Sequence, residues 1–197
     1  VYPQFAAKVF GIRASVPGIK AALVVLCGAI GSVVGGLLTR AGNDVILADQ
    51  WPEHVEQMRT HGLRLSGTCG DHLIPVNAIH IHELQKISEP FEAAFVAVKS
   101  YDTEWATALA IQYLRRPDGV VVDFQNGIND HRVAAVAGKE RTLGCVITIG
   151  AGMYEPGHAM RTDNGSVGFK IGELDGKDTP RAQHLAIDAD FVTLLHP

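Results

Sequence analysis

Glycines stand at positions 28 and 31 of VVLCGAIGSVVGG, the stretch Val24–Gly36. Between a buried strand and a helix, glycines at this spacing let the backbone approach a pyrophosphate and let the helix pack close to the sheet. The full G-x-G-x-x-G pattern has a first glycine where this chain carries Leu26. That glycine makes the tight turn, so Leu26 is expected at positive φ, at a cost of about 1 to 2 kcal/mol. Its branched side chain is also expected to intrude on the phosphate and weaken affinity, and Leu26→Gly to repair it. The expected phosphate turn is therefore Leu26, Cys27, Gly28, Ala29, Ile30 and Gly31.

Three further positions follow apolar runs that read as strands. Asp49 ends DVILAD at close to the ~20-residue spacing after the glycines at which an acidic side chain accepts from the adenosine ribose. Lys99 follows AAFVAV, where a cation can meet a carboxylate or phosphate. Gln125-Asn126-Gly127 follows VVVDF, where a side-chain amide can both donate to and accept from a hydroxyl. Each has a plainer reading alone: a turn aspartate near Pro52, a surface lysine, an Asn-Gly turn. Ligands of open parallel sheets bind outside the carboxyl ends of the strands, so together the four positions describe one cleft.

The elements that must hold them alternate. Leu23 to Leu26 is apolar and mostly branched, as in a strand buried on both faces, and Ile30, Val33, Val34, Leu37, Leu38 and Ala41 mark a helix face ending near Gly42. Asp44 to Asp49 reads as a strand, and Pro52 opens a helix with Val55 and Met58 inward. Further strands are expected at Leu73 to Ile81, Ala93 to Val98, Val120 to Phe124 and Leu143 to Ile149, with a helix from about Thr103 to Leu114. The order predicts an α/β fold: a Rossmann-like, doubly wound, mainly parallel sheet. After Gly150, Pro-Gly and Asn-Gly turns predict a hairpin added to the sheet edge, and a helix can start at about Thr179.

The remaining features exclude other classes. The formal net charge is -4 and the 17 Lys and Arg residues are scattered, which gives no electrostatic case for nucleic acid and favours a small-molecule partner. The three cysteines are widely spaced, which suits a reducing compartment, the cytoplasm by default. The uncharged run Ala21 to Leu38 follows basic residues like a membrane anchor, but it splits into strand, turn and helix. His80 and His82 share a strand face without a third ligand at a persuasive spacing, so no metal is expected. No GxSxG elbow is present, Ser32 reads as a small packing residue, and no histidine can be tied to a serine, so a hydrolase is not expected.

Taken in order, CGAIGSVVGGLLTRAG, VAVKSYDTEWA, DFQNGIND and TLGCVITIGAGMYEPGHAMRT resemble the ketopantoate reductase (2-dehydropantoate 2-reductase) family from about Lys20 onward. The resemblance implies an N-terminal Rossmann domain that binds NADPH and a C-terminal helical domain that closes over it. The activity implied is reduction of the 2-keto acid 2-dehydropantoate to pantoate, on the route to pantothenate. It also implies that Gly28 to Gly31 cradle the pyrophosphate, that Lys99 and Asn126 meet cofactor and substrate, and that Gly150 gives a backbone contact to cofactor. The general-acid lysine of the family belongs to the helical domain, so no catalytic residue is assigned within this chain.

Two departures follow. The chain begins at Val1 and ends at Pro197, before a helical domain, which implies a fragment: an extension over 1–19, the Rossmann domain over 20–178, and the start of a linker or helix over 179–197. An uncovered domain interface would expose apolar surface and favour a homodimer. Asp49-Gln50 also stands where NADPH enzymes usually place an arginine, so NADP implied by resemblance has NAD as its alternative. The alternatives to a ketopantoate-reducing enzyme are a reductase of another 2-keto acid and a non-catalytic dinucleotide-binding module.

Overall fold

The computed structural model describes residues 22–163 and 168–185. Its main sheet has seven strands in the order β5-β2-β1-β6-β7-β8-β11. These are β1 (Ala22–Val25), β2 (Val45–Asp49), β5 (Asn77–His80), β6 (Ala93–Val96), β7 (Val120–Asp123), β8 (Thr142–Ile147) and β11 (Phe169–Glu173). All pairings are parallel except that of β11 with β8. The chain winds outward from β1 in both directions, and the sheet's switch point lies between β1 and β6. Every residue of β1, β6 and β7 is buried, which is why their sequences run apolar without alternation.

Successive residues of β1 feed the two faces of the sheet. Val24 packs with Leu47, Phe95 and Val122, whereas Leu23 and Val25 pack with Val96, Val121 and Ala106. Helix α1 (Ala29–Arg40) and α2 (Pro52–His61) belong to the connections beside β1 and β2, and α3 (Thr103–Ala110) and α4 (Asp130–Ala137) to those beside β6 and β7.

A second sheet, ordered β4-β3-β10-β9, comprises β3 (Leu63–Gly67), β4 (His72–Ile74), β9 (Ala151–Glu155) and β10 (His158–Arg161). Helix α1 is held between the two sheets by paired glycines. A Cβ on Gly35 would collide with the Leu47 side chain of the main sheet, and one on Gly36 would lie 2.8 Å from Leu63 Cδ2 and 3.1 Å from Leu65 Cδ1 of the small one. Only a side-chain-free helix surface fits both neighbours.

The departures from the sequence expectations are local. The single strand expected over Leu73 to Ile81 is two, β4 and β5, divided at Pro75, whose missing N–H cannot serve a ladder. Strand β3 and helix α4 had no expected counterpart. The Pro156-Gly157 hairpin forms, as β9 and β10, but it pairs with β3 in the small sheet; the antiparallel strand at the main sheet's edge is β11. A helix is present over 180–185, near the expected start. The Asn164-Gly165 turn and the extension over 1–19 lie outside the described residues. No described helix is long and apolar enough to cross a membrane, and Ala21 to Leu38 divides into β1, a turn and α1.

Candidate functional site

A cleft of about 540 Å³ opens at the carboxyl ends of β1, β2, β6 and β7. Leu26, Cys27, Gly28, Ala29, Ile30, Asp49, Lys99, Asn126 and Gly150 all line it. Gly31 stands just behind: a Cβ there would lie 3.2 Å from Ala97 Cβ and 3.3 Å from both the Leu26 carbonyl and Val24 Cγ1, so it sets how closely α1 meets the sheet. Sequence reasoning thus named residues that the fold gathers at one place.

Leu26 adopts φ +55°, the one non-glycine residue at positive φ among those described. Its N–H donates to the Ala48 carbonyl at 2.7 Å, and its own carbonyl accepts from Gly28 at 2.8 Å, so the tight turn is made despite the side chain. That side chain is 7% exposed and packs with Val25, Ala48, Val96 and Val98, which corrects the expectation that it intrudes on a phosphate. Gly28 then caps α1 with an exposed Cα and open space where a Cβ would stand. No side chain caps the helix and no acidic residue occupies its first turn. The first-turn amides have no carbonyl within the helix to serve, which suits them to an anion.

Behind the turn lies a buried polar network that sequence reasoning missed. Ser32 Oγ donates to the Cys27 carbonyl at 2.7 Å, and His54 Nε2 lies 3.1 Å from that carbonyl and 3.2 Å from Ser32 Oγ. The Gly157 N–H donates to His54 Nδ1 at 2.8 Å, which assigns the ring proton to Nε2. One imidazole therefore ties the phosphate turn to the β9–β10 hairpin. Burial holds the His54 pKa below its ordinary value, and burial also drives that of the Cys27 thiol up. The signal available in sequence was the helical spacing of His54 with Met58 and the proline opening α2.

At the end of β2, Asp49 is nearly buried and its Oδ1 accepts the Trp51 N–H at 2.8 Å. At the end of β6, Lys99 is exposed, and among the described residues its ammonium has no hydrogen-bond partner. After β7, Gln125 is buried and its amide is committed: Nε2 donates to the Val98 carbonyl and to Thr103 Oγ1, each at 3.0 Å. Gln125 thereby joins two loops, and exposed Asn126 lines the cleft. Gly150 lines the cleft, but its N–H donates to Asp163 Oδ2 at 3.2 Å and its carbonyl accepts from Thr162 at 2.8 Å. Its contribution is close approach, with the amide already engaged.

Residues 23–176 match the family model of ketopantoate reductase PanE/ApbA. The chain belongs to this family. It is 33% identical over 161 residues to 2-dehydropantoate 2-reductase of Archaeoglobus fulgidus, a match covering 81% of the chain and 49% of that protein. The corresponding protein of Pyrococcus horikoshii is 34% identical over 131 residues, 66% of the chain and 40% of the relative. Among solved structures, 2-dehydropantoate 2-reductase of Geobacter metallireducens is similar with TM-score 0.75 at 26% identity, over 87% of the chain and 55% of that structure. The chain spans about half the length of the relatives it matches.

Within this ketopantoate reductase fold, the other histidine constellations are held by neighbouring polar groups. His80 Nδ1 lies 2.6 Å from His82 Nδ1, and His80 Nε2 meets the Gln50 carbonyl at 3.0 Å. Among the described residues no group of three metal-ligating side chains is present. Histidines are tied to serines after all: Ser32 to His54, and Ser66 Oγ to His158 Nε2 at 2.7 Å, with His158 Nδ1 2.9 Å from Glu155. The first histidine turns its second nitrogen to a backbone amide instead of a carboxylate, and Ser66 is a buried residue within the β3–β10 ladder. Neither arrangement exposes a nucleophile to a substrate.

Proposed function

We propose that the chain is the nicotinamide-dinucleotide-binding part of a reductase that converts 2-dehydropantoate to pantoate, a step toward pantothenate. The observation that carries this reading is the convergence of the phosphate turn, Asp49, Lys99 and Asn126 on one cleft at the switch point of a parallel sheet. The residues present fit such a group: open space above Gly28, uncapped first-turn amides and a buried carboxylate at the cleft wall. When bound, the dinucleotide supplies hydride to the keto carbon.

The chain's own residues bind and orient. Amides at the start of α1 hold the pyrophosphate, and Asp49 accepts from the adenosine ribose. Lys99, exposed at the cleft rim, attracts the carboxylate of the 2-keto acid by its charge. Asn126 bridges ribose and substrate hydroxyls, and Gln125, fixed by Val98 and Thr103, positions it.

The test is titration of the folded chain with reduced nicotinamide dinucleotide, reading nicotinamide fluorescence, followed by addition of 2-dehydropantoate. Saturable binding that is lost in Gly28→Glu and perturbed by 2-dehydropantoate is expected. A folded sample showing no binding would overturn the reading.

A further inference from the structure

We propose that the adenosine end of the cleft selects an unphosphorylated ribose, so that the chain takes NADH in preference to NADPH and Asp49 is the residue that decides. This rests on the dinucleotide reading above. Asp49 ends β2 at the cleft wall, 6% exposed. The Trp51 N–H fixes Oδ1, and among the described residues no hydrogen bond takes up Oδ2, so a ribose hydroxyl can donate there. A 2′-phosphate would bring close to two negative charges against this carboxylate, and burial leaves the repulsion poorly screened.

Among the described residues nothing compensates. The rest of that end is Gln50, Trp51 and His54. His54 spends Nδ1 on the Gly157 amide, and its burial opposes a charge. Arg59, further along α2, turns its guanidinium to the Ala78 carbonyl and to Glu83. His80, opposite Asp49 in the β2–β5 register, gives one nitrogen to the Gln50 carbonyl and the other to His82. Lys99 lines the cleft at the end of β6, on the far side of β1. Recognition of a 2′-phosphate needs a cation that can reach it, and each basic group flanking β2 here is engaged elsewhere.

The full chain is titrated with NADH and with NADPH, reading nicotinamide fluorescence. NADPH is expected to bind at least about tenfold more weakly, with the gap narrowing as salt rises while NADH affinity changes little. Asp49→Asn keeps an oxygen for the Trp51 amide and removes the charge, and is expected to bring NADPH within about threefold of NADH. Bound NADH should be displaced by 5′-AMP more readily than by adenosine 2′,5′-bisphosphate. If Asp49→Asn fails to fold by circular dichroism, the salt and displacement measurements on the unaltered chain decide. NADPH binding as tight as NADH overturns the inference and leaves the cleft reading standing; a folded chain that binds neither overturns both.

Discussion

The two ends of the parallel sheet's carboxyl edge are built differently. Around β1 and β2 the buried polar side chains are partnered: Ser32, His54 and Asp49 reach the Cys27 carbonyl, the Gly157 amide and the Trp51 amide. Around β7 and β8 the side chains are less fully partnered. Asp123 is buried with no partner for Oδ1 among the described residues, and Ile128 and Val146 are 83% and 63% exposed. The first end is a closed arrangement that presents backbone amides and one carboxylate. The second leaves exposed apolar surface and a buried carboxyl oxygen without a hydrogen-bond partner among the described residues. The difference teaches that the buried polar contacts of this fold concentrate behind the phosphate turn, whereas the surface around β7 and β8 carries exposed apolar side chains.

The titrations of the two ends run in opposite directions. Burial raises the Asp123 pKa to about 7, with the neighbouring Asp130 charge adding to the effect. Burial lowers that of His54. For His54 the unfolded chain binds the extra proton, so its contribution is present at neutral pH and is lost as pH falls below the ordinary histidine range. For Asp123 the folded chain holds the extra proton between the ordinary aspartate range and pH 7, so stability falls as pH rises through that window.

The largest effect is expected from His54→Ala, which removes the link between hairpin and phosphate turn and leaves the Gly157 amide unpaired. A loss of about 3 kcal/mol, on the order of 10 °C in Tm, is expected. A loss below about 1 kcal/mol would show that the first end does not depend on this network. Asp123→Asn should stabilise the chain by about 2 kcal/mol at pH 8 and by little near pH 4, measured by urea denaturation at each pH. Equal effects at both pH values would remove the contrast between the ends.

Leu26→Gly should destabilise by about 1 kcal/mol, because losing a buried side chain outweighs relief of the positive φ. NADH affinity should change by less than about threefold, since the turn already has its shape. A large gain in affinity would revive the reading in which the leucine obstructs. Ile128→Ser and Val146→Thr should each alter stability by no more than about 0.5 kcal/mol in thermal denaturation, as exposed positions do.

The sequence announced the main sheet where apolar residues ran without interruption, as in VVLCG and AAFVAV. Strand β3 escaped because LRLSG alternates a charge and a serine over few residues, and its pairing partner lies far along the chain in β10. Helix α4 follows an Asn-Gly turn and has a short apolar face, Val133, Ala134 and Ala137, which a window of helical spacing barely registers. At the site, residues immediately after strands were legible because parallel sheets place ligands there. His54 was not, since its role comes from a contact with Gly157 across 103 positions. The direction of the Leu26 side chain likewise depends on what packs around it.

That long-range contact sets an order of assembly. The strand and helix that form the phosphate turn are complete early in the chain, yet β3 has no parallel partner and the His54 imidazole no Nδ1 donor until residues 157–161 arrive. Loop closure over such a separation is slow relative to local βα pairing. Until then the apolar flank of α1 that β9 and β10 pack against lacks that cover, an interval in which the inner side of the turn is unsealed. A pause between α2 and β9 would expose that flank to chaperones and proteases, and emergence of the β9–β10 hairpin ends the interval.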